Sequence, residues 1–161
     1  MGTTHPRLNI WRNTVIAIHE SADGCRSIVV PPGVTTIQQH AFVRPEWRKR
    51  VLLTSITLPE TVTDIEASAF EGCRGLTHLA LPQSLTSIGS RAFCKCRSLT
   101  SMTLPNTVTR IGDAAFQDCS GLTSLTLSST LTSLGDYAFV NCSGLTSLTL
   151  PDTLSAVNRH S

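Results

Sequence analysis

The sequence predicts an α/β solenoid, with parallel strands along one side of each coil and short helical turns along the other. Three observations predict it. All five Phe fall in one column, Phe42, Phe70, Phe93, Phe116 and Phe139, spaced by 28 residues and then by 23 three times. Four of the six Cys repeat the 23-residue step, at Cys73, Cys96, Cys119 and Cys142. Leu recurs at fixed offsets inside the same period, and a period of roughly 20–29 residues carrying Leu is the signature of a leucine-rich-repeat solenoid.

Composition narrows the function classes. The 161 residues amount to one domain. Lys plus Arg is 13 against 11 Asp plus Glu, a net charge of +2, which argues against a dedicated polyanion binder. Only 15 % of residues are charged, and the polarity comes instead from 22 Thr and 18 Ser, which is unusual for an enzyme of this size. No apolar run approaches the roughly 18 residues of a membrane span. The first twenty residues hold no apolar signal core, so a cytoplasmic location is expected.

The elements follow in chain order. Residues 1–29 read as an N-terminal cap and first strand, 30–157 as about five repeat units, and 158–161 as a polar tail. In the cap, the apolar run Val15–Ile18 precedes a turn-like Ser21–Gly24, and Ser27-Ile28-Val29-Val30 reads as the first strand. Such a cap shelters the core of the first coil. The full units are 58–80, 81–103, 104–126 and 127–149.

Within a unit, Leu125 and Leu127 are two apart and share one face of a strand, while Ser124 and Thr126 point the other way. Pro59, Pro82 and Pro105 end the strand stiffly, and Ser128 takes that place in the last full unit. Gly89, Gly112 and Gly135 call for positive φ or a close backbone approach, and Glu66 replaces them in unit 58–80. Ser90, Asp113 and Asp136 then read as caps of a short helical turn. Ala115, Phe116 and Cys119 share its inward stripe. One unit cannot bury these side chains alone, whereas a stack of them makes a continuous core.

The first unit carries five extra residues within Val43–Val51. Pro45 suits the start of a helix with Trp47 packed inward and Arg44, Arg48, Lys49 and Arg50 in solvent. The alternative reading makes Arg44, Trp47, Arg48, Lys49 and Arg50 a basic patch for an acidic partner or nucleic acid, and the small net charge weighs against nucleic acid.

The regular Cys column points to small buried hydrophobes rather than disulfides. Cys96 is expected in the ladder and Cys94 partly exposed. The Cys94–Cys96 pair has no second Cys pair or His cluster beside it, so no metal and no cofactor are expected. His5, His19, His40, His78 and His160 are scattered, no Gly-x-Ser-x-Gly elbow is present, and Gly recurs singly. No catalytic residue is assigned, and the reading is non-enzymatic.

The stretch Leu81-Pro82-Gln83-Ser84-Leu85-Thr86-Ser87-Ile88-Gly89, with Ala92-Phe93, Cys96 and their counterparts, resembles the BspA-like leucine-rich repeats over about residues 28–157. Thr61, Ser84, Thr107 and Thr130 stand where other leucine-rich repeats carry Asn or Cys after the strand. The resemblance implies the fold, and it implies surface adhesins or interaction modules rather than catalysts.

Two outward rows then become the candidate docking surface. They comprise Ser55, Thr57, His78, Ser101, Thr103, Ser124, Thr126, Ser147 and Thr149, on the side a leucine-rich solenoid makes concave. The expected partner is another protein, with no membrane. The alternatives are an adhesin-type repeat fragment, a spacer without its own partner, and an ice-binding hydroxyl array, against which His78 and Ala80 break the columns. The polar tail covers the final core poorly, so the C-terminal coil is expected to be the least stable element and a route to self-association.

Overall fold

Alternation in Ser-Ile-Thr, Ser-Met-Thr and Ser-Leu-Thr turns one apolar side chain inward between two outward hydroxyls, which suits a three-residue strand. The computed structural model describes residues 8–18, 27–43 and 53–154. The basic insertion and Ser21–Gly24 therefore lie outside the described residues. Eleven strands appear there: β1 (Leu8–Trp11), β2 (Thr14–Ile18), β3 (Ser27–Val29), β4 (Thr36–Ile37), β5 (Ser55–Thr57), β6 (Asp64–Ile65), β7 (Ser87–Ile88), β8 (Ser101–Thr103), β9 (Arg110–Ile111), β10 (Ser124–Thr126) and β11 (Ser133–Leu134).

They form two kinds of ladder. One is continuous, in the order β1-β2-β4-β6-β7-β9-β11. Its pairs are parallel except for the β1–β2 hairpin, whose turn residues Arg12 and Asn13 have φ of 46° and 62°. Two positive-φ central residues match the twist of a tight hairpin. Arg-Asn carries no Gly, and the hairpin escapes a reading of the sequence for that reason. The Ser-x-Thr ladder consists of two separate pairs, β3–β5 and β8–β10; between them an isolated bridge ties Ser55 to His78, and no strand pairing reaches on to β8 among the described residues.

Parallel registry one repeat apart stacks like on like. The Phe rings lie 4.8, 5.2, 5.3 and 5.7 Å apart from Phe42 to Phe139, near the spacing of paired strands, with planes within 19° of parallel. Ile37, Ile65, Ile88 and Ile111 stack the same way beneath the continuous ladder. The core loosens toward the C-terminal coil: Phe139, Leu145 and Leu148 are half-buried where Phe116 and Leu122 are fully buried.

The expected helical turns are replaced. Among the described residues there is no helix. The N–H groups of Ser68, Phe70 and Gly72 donate to the carbonyls of Ser90, Ala92 and Cys94 one coil on, each at 2.8 Å. Those of Ala69, Glu71 and Cys73 bond three residues back to Glu66, Ser68 and Phe70. Left-handed residues four apart impose this alternation: Ser68 and Gly72, then Arg91 and Lys95, Ala114 and Asp118, Tyr137 and Asn141. Every second donor points along the solenoid, so the turn joins neighbouring coils as a helix cannot. Asp113 accordingly caps no local turn; its Oδ1 accepts the N–H of Asp136 one coil later at 2.9 Å.

Gly112 serves the close-approach alternative. It lacks positive φ, and a Cβ there would lie 2.4 Å from the backbone nitrogen of Ser90 in the preceding coil. Ser128 shows how the missing Pro is accommodated: it is fully buried, and its hydroxyl meets Thr130 Oγ1 at 3.0 Å and the Thr130 N–H at 3.2 Å.

Candidate functional site

The abundant hydroxyls divide into two populations. In the first, Thr86, Thr109 and Thr132 each direct both N–H and Oγ1–H to one carbonyl of the preceding coil, that of Thr63, Thr86 and Thr109 in turn, at 2.8–3.5 Å, while Thr63 donates its N–H to the Thr35 carbonyl and its hydroxyl to Asp64 Oδ2, each at 2.8 Å. Thr100 and Thr123 repeat the device on Thr77 and Thr100. Thr61, Ser84, Thr107 and Thr130 donate to Val34, Val62, Gln83 and Asn106 carbonyls, which gives the positions after the strand a bonding role. These hydroxyls satisfy backbone acceptors at the coil corners.

The second population is the Ser-x-Thr face. β3 and β5 place Ser27 beside Ser55 and Val29 beside Thr57, and β8 and β10 place Ser101 beside Ser124 and Thr103 beside Thr126. Ser55, Thr57, His78, Thr103, Ser124, Thr126, Ser147 and Thr149 are exposed, and Ser101 is half-exposed. Ser55 donates to Ser27 Oγ at 3.0 Å. The hydroxyls of Thr57, Ser101, Thr103, Ser124, Thr126, Ser147 and Thr149 make no hydrogen bond among the described residues. The repeat register extends the rows to Ser27 and Val29, which the sequence reading left out; Val29 is 69 % exposed where a Thr stands in other units.

The structure does not join all nine residues into one sheet. His78 and Ala80 interrupt the ladder, consistent with the poor strand preference of Ala. Residues 146–150 make no backbone bond to residues 123–127, so Ser147 and Thr149 separate from β10. A depression of about 390 Å³ occupies that seam, lined by Ser124, Leu125, Thr126, Ser147, Thr149 and Pro151 among others. Arg44, Trp47, Arg48, Lys49 and Arg50 lie outside the described residues.

The thiols are inward. Cys96, Cys119 and Cys142 donate through Sγ to the carbonyls of Phe70, Phe93 and Phe116 at 3.2, 3.1 and 3.0 Å. Cys94 is fully buried, correcting the expectation of partial exposure, yet it stands outside the core that holds Phe93 and Cys96 and is covered on the turn side, beside Glu71, Arg91 and Lys95. Burial pushes the Cys73 thiol up to about 12 and raises Cys94 and Cys96 as well. The neighbouring Cys142 thiol, and then burial, raise Cys119, and the same pairing lowers Cys142. Thiols raised in this way, Cys73, Cys94 and Cys96 among them, are unsuited to nucleophilic work. Among the described residues no cluster of three or more His, Cys, Asp or Glu could hold a metal ion.

The BspA type leucine rich repeat region matches residues 47–161, in six copies. The chain belongs to this family. No curated protein matches it. Among solved structures, the BspA-type chain is similar to a leucine-rich repeat protein from Bacteroides ovatus, with 28 % identity and a TM-score of 0.76, over 96 % of this chain and 42 % of that one. It is similar to a leucine rich cell surface protein from Faecalibacterium prausnitzii, with 26 % identity and a TM-score of 0.72, over 90 % and 36 %. A third likeness is to a leucine-rich repeat protein from Eubacterium ventriosum, with 25 % identity and a TM-score of 0.60, over 89 % and 44 %. The chain thus spans less than half the length of each.

Proposed function

We propose that this BspA-type chain is a non-enzymatic interaction module that docks a protein through its Ser-x-Thr face. One observation carries the reading: hydroxyls in the corner columns are spent on backbone acceptors, whereas those of Ser101, Thr103, Ser124 and Thr126 are held in register with no internal partner. Rigid, aligned donors and acceptors suit a complementary polar surface. The face holds no Trp, Tyr or Arg anchor, so the contact is of modest affinity. The experiment is affinity capture with the wild type and with Ser101→Glu/Ser124→Glu. Loss of a partner in the variant alone supports docking here; retention by both moves the contact elsewhere, and capture by neither supports a spacer.

A surface adhesin is the second reading, favoured by the description of the Faecalibacterium prausnitzii neighbour as a cell surface protein. Cell fractionation separates it from the cytoplasmic one. Self-association through the C-terminal coil draws support from half-buried Phe139 and Leu148 and from Leu150, which is 39 % exposed.

A further inference from the structure

Beside the two ladders, each coil has a turn side, and its charge falls in two blocks. Units 58–80 and 81–103 present Arg74, Arg91, Lys95 and Arg97 there, against Glu66 and Glu71. Units 104–126 and 127–149 present Asp113, Asp118 and Asp136 there and no cation among the described residues. Arg91 and Lys95 share one carboxylate, reaching Glu71 Oε1 at 2.9 and 3.9 Å. Glu66 is engaged by the N–H of Gln39 at 3.0 Å. Arg74 and Arg97 are exposed, occupy one column a coil apart, and have no ion pair among the described residues. Stacking sets their backbones about 4.8 Å apart, and like charges in register are destabilising. In the acidic block, Asp113 and Asp118 each use Oδ1, for the Asp136 N–H at 2.9 Å and the Asn141 amide at 2.8 Å. Their Oδ2 atoms make no hydrogen bond among the described residues.

We propose that two copies of this chain associate through their turn sides in antiparallel fashion, the basic block of each lying over the acidic block of the other. A two-fold axis at the boundary of units 81–103 and 104–126 achieves this, because two charged coils lie on either side of it. One self-complementary patch then serves both copies, and the contact closes at two. Parallel pairing would set Arg against Arg and Asp against Asp, so repulsion selects the orientation. Exposed ion pairs are individually weak, which makes the dimer concentration- and salt-dependent. The Ser-x-Thr face takes no part in the contact, so its docking role stands or falls separately.

Native mass by sedimentation at rising protein concentration tests this. The wild type is expected to reach the dimer mass in about 20 mM salt and to return to monomer in about 0.5 M, as the Debye length falls from roughly 20 to roughly 4 Å. Arg74→Glu/Arg97→Glu removes no internal side-chain bond, and Asp113→Asn/Asp118→Asn keeps each acceptor oxygen. Both are expected to remain monomeric at low salt with unchanged circular dichroism. Mixing Arg74→Glu/Arg97→Glu with Asp113→Lys/Asp118→Lys is expected to restore a dimer holding one copy of each. A wild type that stays monomeric at low salt, or variants that still dimerise, would overturn the proposal, and so would a mixture that fails to pair.

Discussion

Both ladders of the coil come from one 23-residue period, yet one runs unbroken through seven strands and the other breaks at His78–Ala80 and again after β10. The two sides also differ in what their hydroxyls do. Along the continuous ladder each step from Thr86 to Thr132 adds a side-chain bond to the backbone bond on the same carbonyl. Along the Ser-x-Thr ladder Thr100 and Thr123 carry the same doubled bond at the corner, even beside the break at His78–Ala80, but the outward hydroxyls of Ser101, Thr103, Ser124, Thr126, Ser147 and Thr149 make no hydrogen bond among the described residues. The bonded side is scaffold. The other is surface left for a partner.

Three measurements can break or sharpen this contrast. The largest effect is expected from Phe93→Ala, which removes the middle of the ring stack common to both ladders. It should cost about 3–5 kcal/mol in urea unfolding. Both ladders should be lost in one transition, and two separated transitions would show that they do not share a core.

The next effect is a loss of stability at high pH. The folded-state value of Cys73 is raised from 9.0 to about 12 by burial. The neutral thiol thus contributes fully below pH 9, and the contribution fades as pH rises toward 12 because the unfolded chain ionises first. The decline is expected to reach a few kcal/mol across that window. A Cys73→Ala chain should show a shallower decline; an identical slope would place the pH-sensitive groups elsewhere.

The smallest effect is the most direct comparison. Thr86→Val removes a corner hydroxyl bonded to the Thr63 carbonyl and should cost about 1 kcal/mol. Ser101→Ala removes a hydroxyl with no internal bond and should cost less than about 0.5 kcal/mol. Equal costs would erase the division between scaffold and surface hydroxyls.

Much of this architecture was legible in the residues. The Phe and Cys columns and the inward Leu–outward Ser and Thr alternation appear as expected, because parallel in-register stacking repeats every position one coil later. The helical turns were misread because Ala115, Phe116 and Cys119 share an inward stripe in either case. Spacings of three and four suit a helix and also suit a run of turns whose alternate N–H groups bond the next coil. Cys94 was misplaced because its cover comes from Glu71, Arg91 and Lys95 on the turn side, which spacing within the repeat does not show. The β1–β2 hairpin was missed because Arg12-Asn13 carries no Gly, and Asn alone is a weak turn signal.

By itself, then, the sequence determined the period, the composition of the core columns and which side chains face out. Whether a given hydroxyl is structural or available was decided only by the tertiary structure. The acceptor that consumes Thr86 lies 23 residues away at Thr63, whereas Ser101 meets none. Such bonds depend on how one coil rests on another, and local spacing carries no record of that.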